Sequence, residues 1–134
     1  MGLPLETATK CVQAFFARFN LYSASRIAEV PPAQTVRERV ALHKEEHAEL
    51  LHAIETDNLV EIADALVDNI YACIGTMLVY GIPPDRVFME VHVTNMAKAL
   101  PLSEGKPTKP SAWRSPRIVQ ALVEAERALH TPKA

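Results

Sequence analysis

The sequence predicts an all-α fold, and three observations carry that expectation. Apolar residues recur at helical spacing in five stretches, and no stretch alternates apolar and polar residues as a half-buried strand does. Prolines and capping residues separate the stretches, in "EVPPAQT" (29–35), "TDN" (56–58), "GIPPD" (81–85) and "SP" (115–116). With 134 residues, 49% hydrophobic and 22% charged, the chain suits one globular domain over 1–134. The expected architecture is a compact helical bundle of about four to five helices.

The elements follow in order. A first helix over residues 6–19 carries Val12, Phe15, Phe16 and Phe19 on one stripe. A second runs from Val36 to Glu55. The stretch "TDN" (56–58) offers capping residues for a third, which continues to Tyr80 before "GIPPD" stops it. That third stretch is apolar nearly all round, the pattern of a buried helix. A fourth spans 85–100, and the Pro/Lys-rich stretch "SEGKPTKPSAW" reads as a loop, with Trp113 either a lid over 102–111 or, the favoured reading, an anchor pinning the C-terminal helix. Ser115 followed by Pro116 gives a cap-and-first-position signal for a last helix, with Ile118, Leu122, Ala125 and Leu129 on one stripe.

Several function classes fall away. The net charge is -2, so no excess of positive charge points to nucleic acid. The four glycines cannot spell either glycine-rich phosphate loop. The apolar run 70–82 is too short and interrupted to span a membrane. Cys11 and Cys73 form neither a C-x-x-C motif nor a disulfide framework, and no signal peptide opens the chain. A cytoplasmic protein is expected.

What stands out is acid. Eight of the 16 acidic residues fall between Glu45 and Asp68, with Lys44 just before them as the one neighbouring base and no lysine or arginine inside the stretch. The stretch "HKEEHAEL" (43–50) resembles a zinc-protease motif at first sight, but that motif needs a glutamate where Lys44 stands. At about 100° per residue, Glu45, Glu46 and Glu49 share one side of the second helix. His43 and His47 fall on the opposite side and are expected to pack. On the third helix Glu61, Asp64 and Asp68 lie within about 60° of one another. Carboxylates inside an apolar helix are costly unless paired or bound to metal, and the neighbouring sequence holds too few bases to pair them. Packed antiparallel, the two helices would form a metal site between them, an all-oxygen cage suited to hard cations.

Three blocks together resemble the all-α nucleoside triphosphate pyrophosphohydrolases, the superfamily of MazG-type enzymes and phosphoribosyl-ATP pyrophosphohydrolase. They are "EEHAE" (45–49), "EIAD" (61–64) and "EVHVTNMAK" (90–98), and the similarity extends over roughly 36–118. The third block looks most like small single-domain members from phages and bacteria. The resemblance implies metal ligation by Glu46, Glu49, Glu61 and Asp64. Glu45 matches the glutamate that orients or deprotonates the attacking water, and Glu46 beside it completes the catalytic pair. Asp68 is an outer-shell acid in this reading. Asn95 and Lys98 match the polar residues that contact the triphosphate, with Thr94 standing where serine is usual.

The resemblance further implies two to three Mg²⁺ or Mn²⁺ ions per site, and a homodimer or a homotetramer built as a dimer of dimers. The implied reaction is (d)NTP + H₂O to (d)NMP + diphosphate. Similarity to MazZ-type relatives favours guanine nucleotides, with dUTP or dCTP as the alternative substrates. Two readings from other classes stay open: a di-iron carboxylate bundle, suggested by Glu49 and His52 at E-x-x-H spacing, and a non-catalytic helical interaction module. Phe15, Phe16 and Phe19 are core by default, and one of them could stack on a nucleobase.

Overall fold

The computed structural model of the chain describes residues 2–131. It comprises two units, one ending at Ile82 and the other starting at Pro83. The first holds three helices: α1 (Glu6–Arg18), α2 (Ala33–Glu55) and α3 (Leu59–Tyr80). The second holds α4 (Pro84–Met96), a hairpin of β1 (Ala99–Ser103) and β2 (Lys106–Thr108), and α5 (Ile118–Leu129). Five helices and one small sheet make the fold all-α in class, as the periodicity predicts.

Two local devices set the ends of α3, the helix that organises the first unit. Asn58 Oδ1 accepts the backbone N–H of Glu61 at 3.2 Å, satisfying one of the orphan donors of the first turn. At the other end Gly81 adopts the left-handed conformation, φ 69°. The chain between α1 and α2 then wraps this terminus. Ala24, Ala28 and Glu29 donate their N–H groups to the carbonyls of Leu78, Gly81 and Tyr80, at 2.9, 3.0 and 2.9 Å. A side chain at Gly81 would collide with the carbonyl of Arg26, so glycine is required there for close approach as well as for φ.

The core of this unit is the α1–α3 contact, where Val12 and Phe16 of α1 meet Ile74 and Val79 of α3. α2 packs along α3 through Ala53 and the polar groups described below. The expectation that α3 is buried on all sides does not hold for the single chain. Leu59, Val60, Val67 and Ile70 are 79, 81, 59 and 54% exposed. The reason is length. At about 1.5 Å per residue, the 13 residues of α1 span only part of the 22 of α3, and they cover its C-terminal half. By length and composition α3 also passes as a membrane-spanning helix, with a mean hydropathy of 1.5 in its most apolar window, a test that core helices pass too.

In the second unit α4 and α5 pack together. Glu90 on α4 accepts the N–H of Arg117 at 3.4 Å, and that residue caps α5. The helix starts two residues later than the Ser115–Pro116 signal predicts, with Arg117 at its N-cap and the N–H of that residue held by a carboxylate from α4. The hairpin also corrects the sequence reading: α4 stops at Met96 instead of reaching Leu100, and 99–108 is a two-stranded ribbon. Ala99 pairs with Thr108 and Ser103 with Lys106, and the turn residues Glu104 and Gly105 both have positive φ. Prolines at 101 and 107 conceal it, since proline within a run argues against a strand.

Candidate metal centre

α2 and α3 bring acid from both helices to one place. Glu46, Glu49 and Asp68 each present a carboxylate oxygen, all within 4.8 Å of one another. Further along the same seam, Glu49 lines a cleft of about 270 Å³ together with His52, Glu61 and Asp64. Asn69 fixes the register of the two helices at this level. Its Nδ2 donates to the carbonyl of Glu46 at 3.0 Å and to that of Ala65 at 2.7 Å. An asparagine in an apolar helix was the available signal for this brace, and the sequence reading missed it.

The electrostatics fit a bound cation. Burial pushes the Glu46 carboxyl above its ordinary range, and the charges of Asp68, Glu49, Glu45 and Asp64 add to the shift. Its Oε2 is buried and has no hydrogen-bond partner. Among the described residues no ion pair joins a lysine, arginine or histidine to any of these acids. An orphaned buried carboxylate oxygen facing two other carboxylates is expensive unless a cation compensates it. The donors are all oxygen, which suits Mg²⁺ or Mn²⁺ and not a soft thiophilic metal.

The anticipated residues distribute as follows. Glu46 and Glu49 are in the cluster, and Asp68 joins them where the resemblance gave it an outer place. Glu61 and Asp64 are exposed and line the adjoining cleft with Glu49. Glu45 is exposed on α2 next to Glu46. His43 does not lie on a face opposed to the acids: its Nε2 is 2.7 Å from the Thr76 hydroxyl on α3, so it shares the α3-facing seam with Glu46. It does serve packing, whereas His47 is exposed. Asn95 and Lys98 belong to the second unit. Lys98 follows the end of α4, its N–H bonded to the Asn95 carbonyl at 3.2 Å and its ammonium 5.8 Å from the Trp113 ring. Trp113 is an anchor, since its Nε1 donates to the Thr94 carbonyl at 2.6 Å while Lys109 lies 4.7 Å from its ring.

A helix pair carrying an all-carboxylate cluster, with no cysteine in it, offers the donor chemistry that hard cations take. The chain belongs to the phosphoribosyl-ATP pyrophosphohydrolase family, whose profile matches residues 12–95, within the MazG-like nucleoside triphosphate pyrophosphohydrolase superfamily. The match covers all of α2 and α3 and most of α1 and α4, including every acid named above; Lys98 lies just beyond it. No curated protein matches the chain significantly.

Proposed function

We propose that the protein is a metal-dependent nucleoside triphosphate pyrophosphohydrolase that converts a (d)NTP and water to a (d)NMP and diphosphate, with guanine nucleotides preferred. The observation that supports this most is the orphaned Glu46 carboxylate beside Glu49 and Asp68, in a chain whose family acts on nucleotide pyrophosphate bonds. Glu46, Glu49 and Asp68 would hold the first ion, with Glu61 and Asp64 available to a second along the seam. When bound, Mg²⁺ or Mn²⁺ supplies a more acidic water and neutralises the phosphate oxygens that gain charge. Glu45, exposed next to Glu46, is the candidate acceptor for the water's proton. Asn95 as a donor and Lys98 as a point charge are the chain's candidates for phosphate contacts.

The test is a panel of the eight common NTPs and dNTPs, with phosphoribosyl-ATP added because the family is named for its hydrolysis. Each is incubated with Mg²⁺, with Mn²⁺ and with EDTA, and monophosphate and diphosphate are quantified. The reading expects equimolar release of both products, abolished by EDTA and fastest on guanine nucleotides. A maximum on dUTP, dCTP or phosphoribosyl-ATP would keep the chemistry and replace the substrate. Release of orthophosphate alone, or no turnover, would sink the proposal.

A homo-oligomer is part of it. On the helical wheel Leu59, Leu66 and Ile70, with Val60 and Val67 beside them, lie opposite the acid-bearing side of α3. All five are exposed, and a contiguous apolar stripe of this kind marks an association surface. A second copy of the chain is the proposed occupant. Sedimentation equilibrium is expected to give a dimer or tetramer, and Val67→Lys to shift it toward monomer; a wild-type monomer at micromolar concentration would refute this.

A further inference from the structure

A second cleft, about 160 Å³ in volume, shares Glu46 and Asp68 with the acidic cluster, and its other walls are of a different kind. Phe15 and Phe16 of α1, Tyr71 of α3 and Arg39 of α2 line it. Phe15 meets Tyr71 edge-on, with ring centroids 5.5 Å apart and planes at 89°. It is much smaller than the ~300–1,000 Å³ of a drug-sized site, and its scale suits one flat heterocycle.

Arg39 is the unexplained group. It is half-buried, and among the described residues no carboxylate forms an ion pair with it. Burial lowers its pKa, and the Cys73 thiol, not a carboxylate, is what partly offsets the effect. The surroundings hold it in place instead. Its Nε donates to Thr76 Oγ1 at 2.9 Å and its Nη2 to the Ala72 carbonyl at 2.9 Å, and its guanidinium carbon sits 5.8 Å from the centre of the Phe16 ring. His43 Nε2 contacts the same Thr76 hydroxyl at 2.7 Å. Gly75 makes the room: a Cβ there would stand 2.8 Å from Nη2 and 3.2 Å from Phe16. A guanidinium has five N–H donors, and these two bonds leave three unspent.

We infer that Arg39 is the base-selecting residue of the substrate site, its free N–H donors reading the acceptor edge of a guanine held between the Phe15, Phe16 and Tyr71 rings. The inference deepens the proposed function and rests on it for the identity of the ligand as a nucleotide. Aromatic walls accept any base, since every base has a stacking face. Discrimination comes from the fork. Guanine offers O6 and N7 as adjacent acceptors, the pattern an arginine engages with two parallel bonds. Adenine places an amino donor where O6 would be, and the pyrimidines offer no such pair. Continuity of the cleft with Glu46 and Asp68 leaves the phosphates of the same nucleotide on the acidic cluster's side. Thr76 and His43 are positioning residues that fix the fork's orientation.

The experiment reads binding separately from turnover. Calorimetry with GMP, AMP and 7-deaza-GMP, in Mg²⁺, is carried out on the wild-type chain and on Arg39→Lys, which keeps the charge and loses the fork. Circular dichroism checks that the variant is folded. The wild type is expected to bind GMP roughly 10- to 100-fold more tightly than AMP or 7-deaza-GMP, and Arg39→Lys to bring GMP down to the level of AMP. In parallel, the ratio of kcat/KM for GTP to that for ATP is expected to fall toward one in the variant. Equal affinity for GMP and 7-deaza-GMP in the wild type would overturn the inference without any variant having to fold. An unchanged GMP preference in a folded Arg39→Lys would also overturn it. Selective GMP binding without hydrolysis of any triphosphate would uphold Arg39 and refute the hydrolase reading alone.

Discussion

Glu46→Gln is expected to lower kcat/KM for nucleotide hydrolysis by roughly 100-fold or more while leaving the fold intact. Substituting even a group that only orients a metal ligand typically costs about 10–100-fold, so a direct ligand belongs at or above the top of that range. The change is nearly isosteric. It removes a carboxylate that burial and four neighbouring acids disfavour, so the metal-free chain is expected to gain stability. Asp68→Asn is expected to cost as much activity as Glu49→Gln, because Asp68 shares the 4.8 Å cluster with Glu46 and Glu49. Steady-state kinetics with circular dichroism on each variant decides the matter. Wild-type hydrolysis by a folded Glu46→Gln would remove the cluster from the mechanism, and wild-type hydrolysis by Asp68→Asn would return the metal site to Glu61 and Asp64.

The second large effect is a stability that depends jointly on pH and metal. Glu46 holds its proton to a higher pH in the folded chain than in the unfolded one, where the ordinary value is 4.5. Its contribution is therefore fully present below about pH 4.5 and is lost as pH rises through the raised folded value. In EDTA, the melting temperature of the wild type is expected to fall relative to that of Glu46→Gln as pH is raised from the mid-fours toward neutrality. Mn²⁺ or Mg²⁺ at neutral pH should reverse that loss, by about 2.7 kcal/mol at a free concentration 100 times Kd. Glu46→Gln should show neither the pH-linked loss nor the full recovery. Parallel melting curves for the two proteins in EDTA would show that Glu46 is not the strained group.

Much of this was legible in the sequence where local chemistry decides structure. Asn58 and Gly81 bracket α3 as their residue types foretell, and the acids of α2 and α3 fall on facing sides because helical geometry leaves them no other place. The parts that were not legible depend on partners distant in the chain. Nothing near Pro116 shows that Glu90 holds the N–H of Arg117, the residue at which α5 is entered. Prolines at 101 and 107 hide a ribbon that is held by its turn and by Thr108, whose hydroxyl donates to the Ala99 carbonyl at 3.0 Å. His43 and Glu46 were assigned to opposite faces although they stand only about 60° apart on the wheel, and the α2–α3 seam is broad enough to hold both. Asp68 satisfied the same wheel argument as Glu61 and Asp64; its burial beside Glu46 was invisible without the packing. Arg39 reads as an ordinary charge on a helix until Gly75, Thr76 and Phe16 surround it.

The central claim is that the carboxylates between α2 and α3 form the metal centre, and electron paramagnetic resonance of Mn²⁺ tests it most directly. Mn²⁺ is titrated into the wild type and into the double variant Glu46→Gln/Asp68→Asn, with folding of both checked by circular dichroism. The wild type is expected to remove the free-Mn²⁺ signal saturably, Mg²⁺ to restore it by competition, and the double variant to leave the signal free. A folded double variant that binds Mn²⁺ as tightly as the wild type would contradict the claim.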